Sequence, residues 1–277
     1  MPHQTADHAL LDIITNCLTL GERVTTRNAD CFRVFCTPVV FQSTPLVRVR
    51  RTAWKNALRE WEWFMSGSNW IQDLHPSVQE WWKPWADDKG VVKYNYSQQF
   101  RSFFGKPSGG LAGGYVDQVS YLLDSIRAHP YSRRACATTW NTFEMTRADC
   151  KITNCHGSYI QAFVTLDDRL FLKMYQRSAD VVCGVPHNWI QYWAFLMWLA
   201  HNTGRRVGGL LWEGGDVHVY SEHCELAGEM LGTYPPKEPV PQLIYKPKDN
   251  PLVFRADDFD LDRPYEPVLK KNAVMVV

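Results

Sequence analysis

Residues 175–188 read YQRSADVVCGVPHN and join an apolar, strand-like run to an apolar, helix-like run. Pro186 stands where a helix commonly begins, because its fixed φ suits the first helical turn. Arg177, Ser178, Asp180 and Asn188 interrupt the apolar runs. A polar side chain in such surroundings costs free energy unless it has a partner. The stretch therefore predicts either an internal hydrogen-bond network or a site for a polar ligand.

The pattern of apolar residues on both sides of this stretch predicts an α+β fold. A period of 3.6 residues indicates helices, and alternation or short apolar runs indicate strands. The predicted helices cover residues 6–21, 52–66, 115–128, 186–201 and 217–231, and the predicted strands cover 31–42, 134–140, 158–165, 170–176, 207–213 and 241–246. Because these elements follow no regular βαβ repeat, we expect one domain over residues 1–277, with a large mixed β-sheet flanked by helices.

The charge balance and the lack of long apolar runs limit the partners. The 277 residues include 30 Lys and Arg against 29 Asp and Glu, so the formal net charge is +1. A broad nucleic-acid surface is usually far more basic, whereas a local arginine cluster for one small anion is compatible with this balance. No apolar run approaches the ~20 residues of a membrane span, and the N-terminus lacks a secretory-signal pattern. We therefore predict no nucleic-acid partner, no membrane association and a cytoplasmic location.

Cysteine spacing and a glycine-rich segment predict no further site. The eight Cys are interpreted as free thiols, since the chain is long and has no secretory signal. The pairs Cys31/Cys36 and Cys150/Cys155 lie in strand-like or catalytic-looking contexts, so no metal site is predicted. Residues 104–114, FGKPSGGLAGG, lack the order GxxxxGK[ST] of a phosphate-binding loop and are predicted to be a flexible connection.

Two more segments carry residue types that do chemistry. Cys155 and His156 stand between predicted strands, and a Cys beside a His is more often structural than catalytic, with a nucleophile as the alternative. Residues 212–220, WEGGDVHVY, are predicted to form a turn into a helix, with His218 and Tyr220 near its start.

In this order, the motifs resemble those of the thymidylate synthase superfamily, which includes the phage deoxypyrimidine-monophosphate hydroxymethylases. The resemblance rests on YQRSAD, GVPHN and GGDVHVY, with Cys155-His156 and Ser-Arg-Arg at 132–134 upstream. It runs from Glu60 in REWEWF to the closing residues 275–277. It implies the thymidylate synthase fold, an obligate homodimer, and 5,10-methylenetetrahydrofolate as cofactor. If a phage encodes the chain, the expected location is the host cytoplasm.

The resemblance also implies roles for individual residues. Cys155 corresponds to the nucleophile that adds to C6 of the pyrimidine and so makes C5 reactive. Asn188 corresponds to the reader of the base, since its amide offers a donor and an acceptor to uracil, where the deoxycytidylate hydroxymethylases carry Asp. The resemblance assigns the 5′-phosphate to Arg27, Arg177 and Ser178, with Arg133 and Arg134 from the second subunit, and the sugar to His218 and Tyr220. It assigns the handling of water and protons to Glu60, Tyr96 and His156. It assigns the folate to Trp82, Trp85, Gly184, His187 and Asp180, of which Asp180 bridges the nucleotide and the folate.

Departures from the synthase pattern bear on the product. In the hydroxymethylases water attacks a methylene group at C5, whereas in the synthases the folate delivers hydride to it. Asn154 before the nucleophile could hold a water, and His187 in place of an apolar aromatic residue raises the polarity near the folate. The aromatic Trp189 resembles the residue of the phage hydroxymethylases at this position. We therefore predict dUMP hydroxymethylation, with thymidylate synthesis or hydroxymethylation of CMP or dCMP as alternatives. A non-catalytic nucleotide- or RNA-binding scaffold is a further alternative, against which the presence of Cys155 argues.

Overall fold

The computed structural model describes residues 5–35, 38–103, 115–152 and 154–276, so the predicted connection over 104–114 lies outside the described residues. The α-helices are α1 (Ala6–Leu20), α2 (Trp54–Ser66), α3 (Pro76–Trp82), α4 (Tyr96–Arg101), α5 (Gln118–Ala128), α6 (Thr142–Met145), α7 (Val185–Asn202) and α8 (Cys224–Leu231). The strands are β1 (Glu22–Thr25), β2 (Asp30–Phe35), β3 (Val39–Phe41), β4 (Cys136–Ala137), β5 (Tyr159–Val164), β6 (Arg169–Asp180), β7 (Arg206–Tyr220), β8 (Leu243–Tyr245) and β9 (Phe259–Leu261). Short 3₁₀ helices cover Ile71–Asp73, Lys83–Trp85, Ser221–His223 and Ala256–Asp258.

Seven strands of the described ranges form one sheet in the order β1-β2-β7-β6-β5-β4, with β3 also paired to β7. β6 and β7 run parallel, and the other pairs in this sheet are antiparallel. The predicted mixed sheet is therefore confirmed. Asp180, at the end of β6, lies opposite His218 near the end of β7. The polar residues that end both strands consequently meet at one edge of the sheet.

Helix α7 occupies the centre of the core. Apolar residues surround its axis, as expected of a helix buried on every side, and Trp189, Phe195 and Trp198 are fully buried. It packs against β6 and β7, and α2 packs against α7. Pro186 lies in its first turn, as predicted. The short connection from β6 to α7 therefore places the polar end of β6 beside the polar start of α7.

The predicted helix over residues 217–231 was wrong in its first half. Strand β7 continues to Tyr220, and α8 begins only at Cys224. The pair Gly214–Gly215, interpreted as a turn, lies inside strand β7. Glycine is needed at both positions because neighbouring atoms leave no room for a side chain. A Cβ on Gly215 would lie 2.4 Å from Tyr175 Oη. His218 and Tyr220 therefore end a strand instead of beginning a helix.

The other predicted elements differ mainly at their ends, whereas α3, α4, α6, β1 and β9 were not predicted. The predicted strand over 31–42 is divided into β2 and β3, and the one over 134–140 shrinks to the two residues of β4. Helix α5 begins at Gln118 because the Asp117 carboxylate accepts the first free N–H groups of the helix. Within the described ranges, no helix combines the length and the apolar character needed to cross a membrane.

Candidate active site

A cavity of ≈ 610 Å³ lies at the carboxyl ends of β6 and β7, beside the first turn of α7. This volume is within the usual range of small-molecule sites. All the predicted site residues except Arg133 and Arg134 line it. They are Arg27, Glu60, Trp82, Trp85, Tyr96, Cys155, His156, Arg177, Ser178, Asp180, Gly184, His187, Asn188, His218 and Tyr220.

Tyr96 holds the sulfur of Cys155. The Tyr96 hydroxyl oxygen lies 3.2 Å from Cys155 Sγ and accepts the backbone N–H groups of Cys155, at 2.7 Å, and His156, at 3.4 Å. Because two N–H groups occupy its lone pairs, the hydroxyl directs its hydrogen towards the sulfur. Burial raises the pKa of the Cys155 thiol above its ordinary value, although the Tyr96 hydrogen bond and the charge of Arg177 act in the opposite direction. The Arg177 charge thus favours the thiolate, but burial outweighs it in the free protein.

His156 is a neutral ring in the wall behind the nucleophile. It stacks on Tyr96 with a centroid separation of 4.1 Å and an interplanar angle of 8°, and its Nδ1 lies 3.1 Å from the Tyr192 hydroxyl. Burial lowers its pKa to about 3. At neutral pH the ring therefore carries no charge, and its contacts fix the position of Tyr96.

Glu60 combines burial with two hydrogen-bond donors. Trp82 Nε1 donates to its Oε1 at 2.6 Å, and Gln191 Nε2 donates to its Oε2 at 2.7 Å. Burial raises the pKa of this carboxyl to about 7, although both hydrogen bonds favour the charged form. A carboxyl group that titrates near neutral pH can both accept and donate a proton during a reaction.

Asn188 lies in the first turn of α7 with its amide held on both sides. Its Oδ1 accepts from Gln176 Nε2 at 2.9 Å, and its Nδ2 donates to Gln191 Oε1 at 3.1 Å. One amide hydrogen and one oxygen lone pair remain for further bonds. The residue therefore keeps both a donor and an acceptor for a ligand in the cavity.

Asp180 holds the turn between β6 and α7. Its Oδ1 accepts from the N–H groups of Val182 and Cys183, both at 3.0 Å, and lies 3.5 Å from His223 Nδ1. The second nitrogen of His223 lies 2.7 Å from the Val274 carbonyl oxygen. Asp180 and His223 thus connect this turn to the C-terminal segment, of which residues 272–276 line the cavity.

The residues expected to hold the sugar and the phosphate within one chain also line this cavity. His218 Nδ1 is 3.0 Å from Asp216 Oδ1, and its ring packs edge-on against Tyr220. The Arg177 guanidinium lies 4.9 Å from the ring centroid of Trp140. Arg27 is exposed on the turn of the β1–β2 hairpin. An anion in this part of the cavity would meet two guanidinium groups, which suit phosphate.

Arg133 and Arg134 do not reach the cavity of their own chain. Both are exposed in the segment between α5 and β4. The predicted contribution of these arginines from a second subunit is compatible with this position and stays a prediction.

Asn154 and His187, which were expected to raise the polarity near the reacting groups, both bond to the protein backbone. Asn154 is buried and donates to the carbonyl oxygens of Tyr94, at 3.3 Å, and Thr139, at 2.9 Å. His187 Nδ1 lies 2.9 Å from the Cys183 carbonyl oxygen, and its Nε2 accepts from the backbone N–H of Ala53. Burial lowers the pKa of His187 to about 4. Backbone groups therefore occupy both ring nitrogens of His187 and the amide nitrogen of Asn154, whereas the buried Asn154 Oδ1 has no hydrogen-bond partner among the described residues.

Trp189 is fully buried and packs edge-on against Trp212, at a centroid separation of 5.5 Å, on the side of α7 away from the cavity lining. It is a core residue, so its likeness to the hydroxymethylases is not a feature of the cavity wall.

Sequence reasoning missed several residues at or beside the cavity. Trp81 lines it and packs edge-on against His187, and its spacing of four from Trp85 is a signal that was available. Gln191 bonds both Glu60 and Asn188, and it stood out as a polar residue inside an apolar helix. No pattern pointed to Arg51, which also lines the cavity.

Comparison with known proteins agrees with the resemblance seen in the sequence motifs. A family model described as thymidylate synthase matches residues 8–277. A thymidylate synthase from Corynebacterium aurimucosum is 31% identical over 241 residues, which cover 87% of this chain and 86% of the relative. With the mixed sheet and the cavity at its edge, these matches establish that the chain belongs to the thymidylate synthase family.

Proposed function

We propose that the chain bonds Cys155 to C6 of dUMP and transfers the one-carbon unit of 5,10-methylenetetrahydrofolate to C5. This folate is the cosubstrate of the family. The observation that carries the proposal is the 3.2 Å contact between Tyr96 Oη and Cys155 Sγ in the cavity wall. A hydroxyl that donates to sulfur stabilises the thiolate, which is the nucleophilic form of cysteine.

The cavity offers a separate set of groups to each part of the nucleotide. We assign the 5′-phosphate to Arg177, Ser178 and Arg27, because arginine pairs with phosphate through two parallel hydrogen bonds. His218 and Tyr220, at the end of β7, are assigned to the sugar hydroxyl. Asn188 is assigned to the base, where its oxygen accepts from N3–H of uracil and its nitrogen donates to O4.

The covalent step changes the reactivity of the base. The Cys155 thiolate adds to C6, and the electron pair of the C5–C6 double bond moves onto C5 and the C4 carbonyl oxygen. C5 then bonds to the one-carbon unit and loses its proton, and the bonds from this carbon to the folate nitrogens break, with their electron pairs left on nitrogen. Expulsion of the thiolate from C6 later restores the double bond. The folate supplies the electrophilic carbon and, for methylation, the hydride that reduces it.

Glu60 is the group that we assign to proton movement. Its pKa of about 7 lets it take up and release a proton at neutral pH. Trp82 and Gln191 both donate to its oxygens, so neither accepts the proton that Glu60 acquires. That proton is therefore available to water or to a ligand in the cavity.

The remaining wall of the cavity fits the flat, aromatic pterin of the folate. Trp81 and His187 pack edge-on at 5.5 Å, and Trp82 and Trp85 continue this wall. Aromatic rings offer large areas for stacking against a pterin. We assign the folate to Trp81, Trp82, Trp85, Asp180, Gly184 and His187.

We extend the proposal to a homodimer in which each site receives Arg133 and Arg134 from the other chain. On β5 and β6, alternate side chains point away from α7, and Tyr159 and Phe163 among them are 39% and 63% exposed. Exposed aromatic groups in a row commonly mark an interface. The two arginines precede β4, which pairs with β5 beside this row.

Of the two products, dTMP has the better support. The relative from Corynebacterium aurimucosum is named a thymidylate synthase. The three residues on which the sequence based the hydroxymethylase prediction do not bring a free polar group to the cavity. Asn154 and His187 bond to the backbone, and Trp189 lies in the core.

Hydroxymethylation of dUMP is the second candidate, and Glu60 is the observation that favours it. Water that attacks the methylene group at C5 needs a base, and a carboxyl group with a pKa of about 7 suits this role. Action on CMP or dCMP has less support, because Asn188 offers the pattern that uracil requires.

Product identification tests the proposal. We expect the chain, incubated with dUMP and 5,10-methylenetetrahydrofolate, to form dTMP and dihydrofolate in equal amounts, as measured by mass spectrometry and absorbance. Accumulation of 5-hydroxymethyl-dUMP without dihydrofolate would replace the first candidate by the second. Absence of any C5 product from an active-site-intact protein would contradict both.

A further inference from the structure

A line of hydrogen bonds crosses the core from β7 to α2. Trp212 Nε1 donates to Gln176 Oε1 at 2.9 Å, and Gln176 Nε2 donates to Asn188 Oδ1 at 2.9 Å. Asn188 Nδ2 donates to Gln191 Oε1 at 3.1 Å, and Gln191 Nε2 donates to Glu60 Oε2 at 2.7 Å. We call these five residues the relay.

All hydrogen bonds of the relay run from donor to acceptor in one order, from Trp212 towards Glu60, because the groups at its two ends permit no other order. The indole N–H of Trp212 only donates, so the oxygen of Gln176 must face it and the Gln176 amide group must face Asn188. At the other end, Gln191 Nε2 also donates to the Ala57 carbonyl oxygen at 3.0 Å. A flipped Gln191 amide would set oxygen against that carbonyl and against the Glu60 carboxylate. Both ends therefore require the same orientation of the Asn188 amide.

That orientation matters because an asparagine amide is ambiguous by itself. With oxygen towards N3 and nitrogen towards position 4, it pairs with uracil, which offers N3–H and O4. With the amide flipped, it pairs with cytosine, which offers a lone pair on N3 and an amino group. A free Asn can therefore serve either base, and only its surroundings decide between them.

We propose that Gln191 is a positioning residue that holds the Asn188 amide in its uracil-reading orientation and joins it to the carboxyl group of Glu60. The inference rests on the proposed function, since it takes Asn188 as the reader of the base. Gln191 is fully buried and does not line the cavity, so it acts through its two neighbours. Its oxygen serves Asn188 and its nitrogen serves Glu60, and these two functions can be separated by substitution.

The surroundings of Glu60 allow its titration to be followed. Burial lowers the pKa of His156 to about 3 and that of His187 to about 4. Burial raises the pKa of Cys183 to about 12 and raises that of Cys155. The cavity arginines stay charged. These groups therefore keep their charge between pH 6 and pH 8. His223 does not, because burial lowers its pKa but the hydrogen bond and charge of Asp180 outweigh this effect and raise it above the ordinary 6.5. The shift in Gln191→Glu is the readout that assigns a limb of the activity profile to Glu60, since Gln191 bonds directly to Glu60.

Two variants separate the two ends of Gln191. Gln191→Met removes both hydrogen bonds at similar volume, so we expect the preference for dUMP over dCMP in binding to fall about tenfold, the effect of one lost orienting bond. Gln191→Glu keeps an acceptor for Asn188 but sets a second carboxyl group against Glu60. We expect it to keep the preference for dUMP and to shift the near-neutral limb of kcat/KM to higher pH by about one unit, since like charges disfavour ionisation.

Gln118→Met is the matched control. Gln118 is also buried, but its amide bonds only to backbone groups of Gln99 and Thr138, away from the cavity. We expect it to lower stability without moving either readout. Unchanged base preference in folded Gln191→Met, or the same loss in Gln191→Glu or in the control, would overturn the inference. A wild-type protein that shows no preference for dUMP would instead contradict the proposed function.

Discussion

The two ends of the cavity hold their ligand groups in different ways. At the base end, the relay fixes each donor and acceptor inside the core by bonds of 2.7–3.1 Å. At the phosphate end, Arg27 is exposed on a hairpin turn, and Arg133 and Arg134 are exposed outside the cavity. Reading a base requires fixed directions, which a packed core supplies. Holding a phosphate requires charge, which a mobile turn or a second subunit can supply.

Removal of Cys155, the proposed nucleophile in the wall of the same cavity, gives the largest expected effect. Cys155→Ala removes the group that activates C5, so we expect kcat to fall by about 10⁴-fold or more while dUMP still binds. Isothermal titration and a turnover assay measure the two quantities separately. Cys150→Ala, five residues away, is the control and should keep its activity. Turnover by Cys155→Ala near the wild-type rate would exclude covalent catalysis at this residue.

The difference between the two ends predicts that the phosphate end receives Arg133 and Arg134 from a second chain, whereas the base end is built by one chain. Arg133→Ala/Arg134→Ala and Cys155→Ala should each be inactive alone. Mixed in equal amounts, they should recover about a quarter of wild-type activity, because half of the dimers then contain one intact site. Asn188→Ala is the contrasting partner, since its defect lies in the same chain as the nucleophile. Mixing it with Cys155→Ala should restore nothing.

Verified heterodimers of the arginine and cysteine variants that stay inactive would contradict the shared site. A monomer in analytical ultracentrifugation would contradict it as well.

At the base end, replacement of the Asn188 amide nitrogen by oxygen should change the preference between dUMP and dCMP. Asn188→Asp replaces the amide donor by an acceptor, so we expect kcat/KM to shift from dUMP towards dCMP by about 10- to 100-fold. The ratio of the two constants is the measurement. Asn188→Ala, which removes both groups, should weaken both substrates without favouring cytosine. An unchanged ratio in Asn188→Asp would show that this residue does not read the base.

An expected effect on stability, as distinct from catalysis, comes from the buried end of the relay. The pKa of Glu60 is about 7 in the folded protein against 4.5 for the ordinary group. Between these pH values the folded state holds a proton that the unfolded state has released, so stability falls as pH rises through this window. The loss is at most roughly 3 kcal/mol above pH 7. Denaturant unfolding should show that Glu60→Gln is less sensitive to pH than wild type. Identical pH dependence of the two proteins would contradict the assignment.

Much of this architecture could be predicted from local sequence signals. The apolar period of α1 and α2 predicted those helices, and alternation predicted β5 and β6, because burial on one face leaves a periodic record. The long apolar run after Pro186 predicted α7, which is buried on every side. The pair Gly214–Gly215 misled the prediction of β7. Glycine is required there by the close approach of Tyr175, a contact between distant parts of the chain that local sequence does not contain.

The site, too, has features that local sequence predicts and features that depend on contacts between distant parts of the chain. Arg177 and Asn188 could be predicted as candidates because they interrupt apolar runs, whereas the role of Cys155 came only from the resemblance of the motifs to the family. The balance of burial against charge at Cys155 could not be predicted, since it depends on packing from α4 and β6. The relay was also out of reach, because Gln191 gains its meaning from Glu60, which is 131 residues away.

The mass of the protein after incubation with 5-fluoro-dUMP and 5,10-methylenetetrahydrofolate tests the central claim most directly. Fluorine at C5 cannot leave as a proton does, so the covalent adduct should persist. We predict a denaturation-resistant increase equal to both ligands, mapped by peptide mass spectrometry to Cys155 and absent in Cys155→Ala. No added mass in the wild-type protein, or an adduct that persists in Cys155→Ala, would contradict the account.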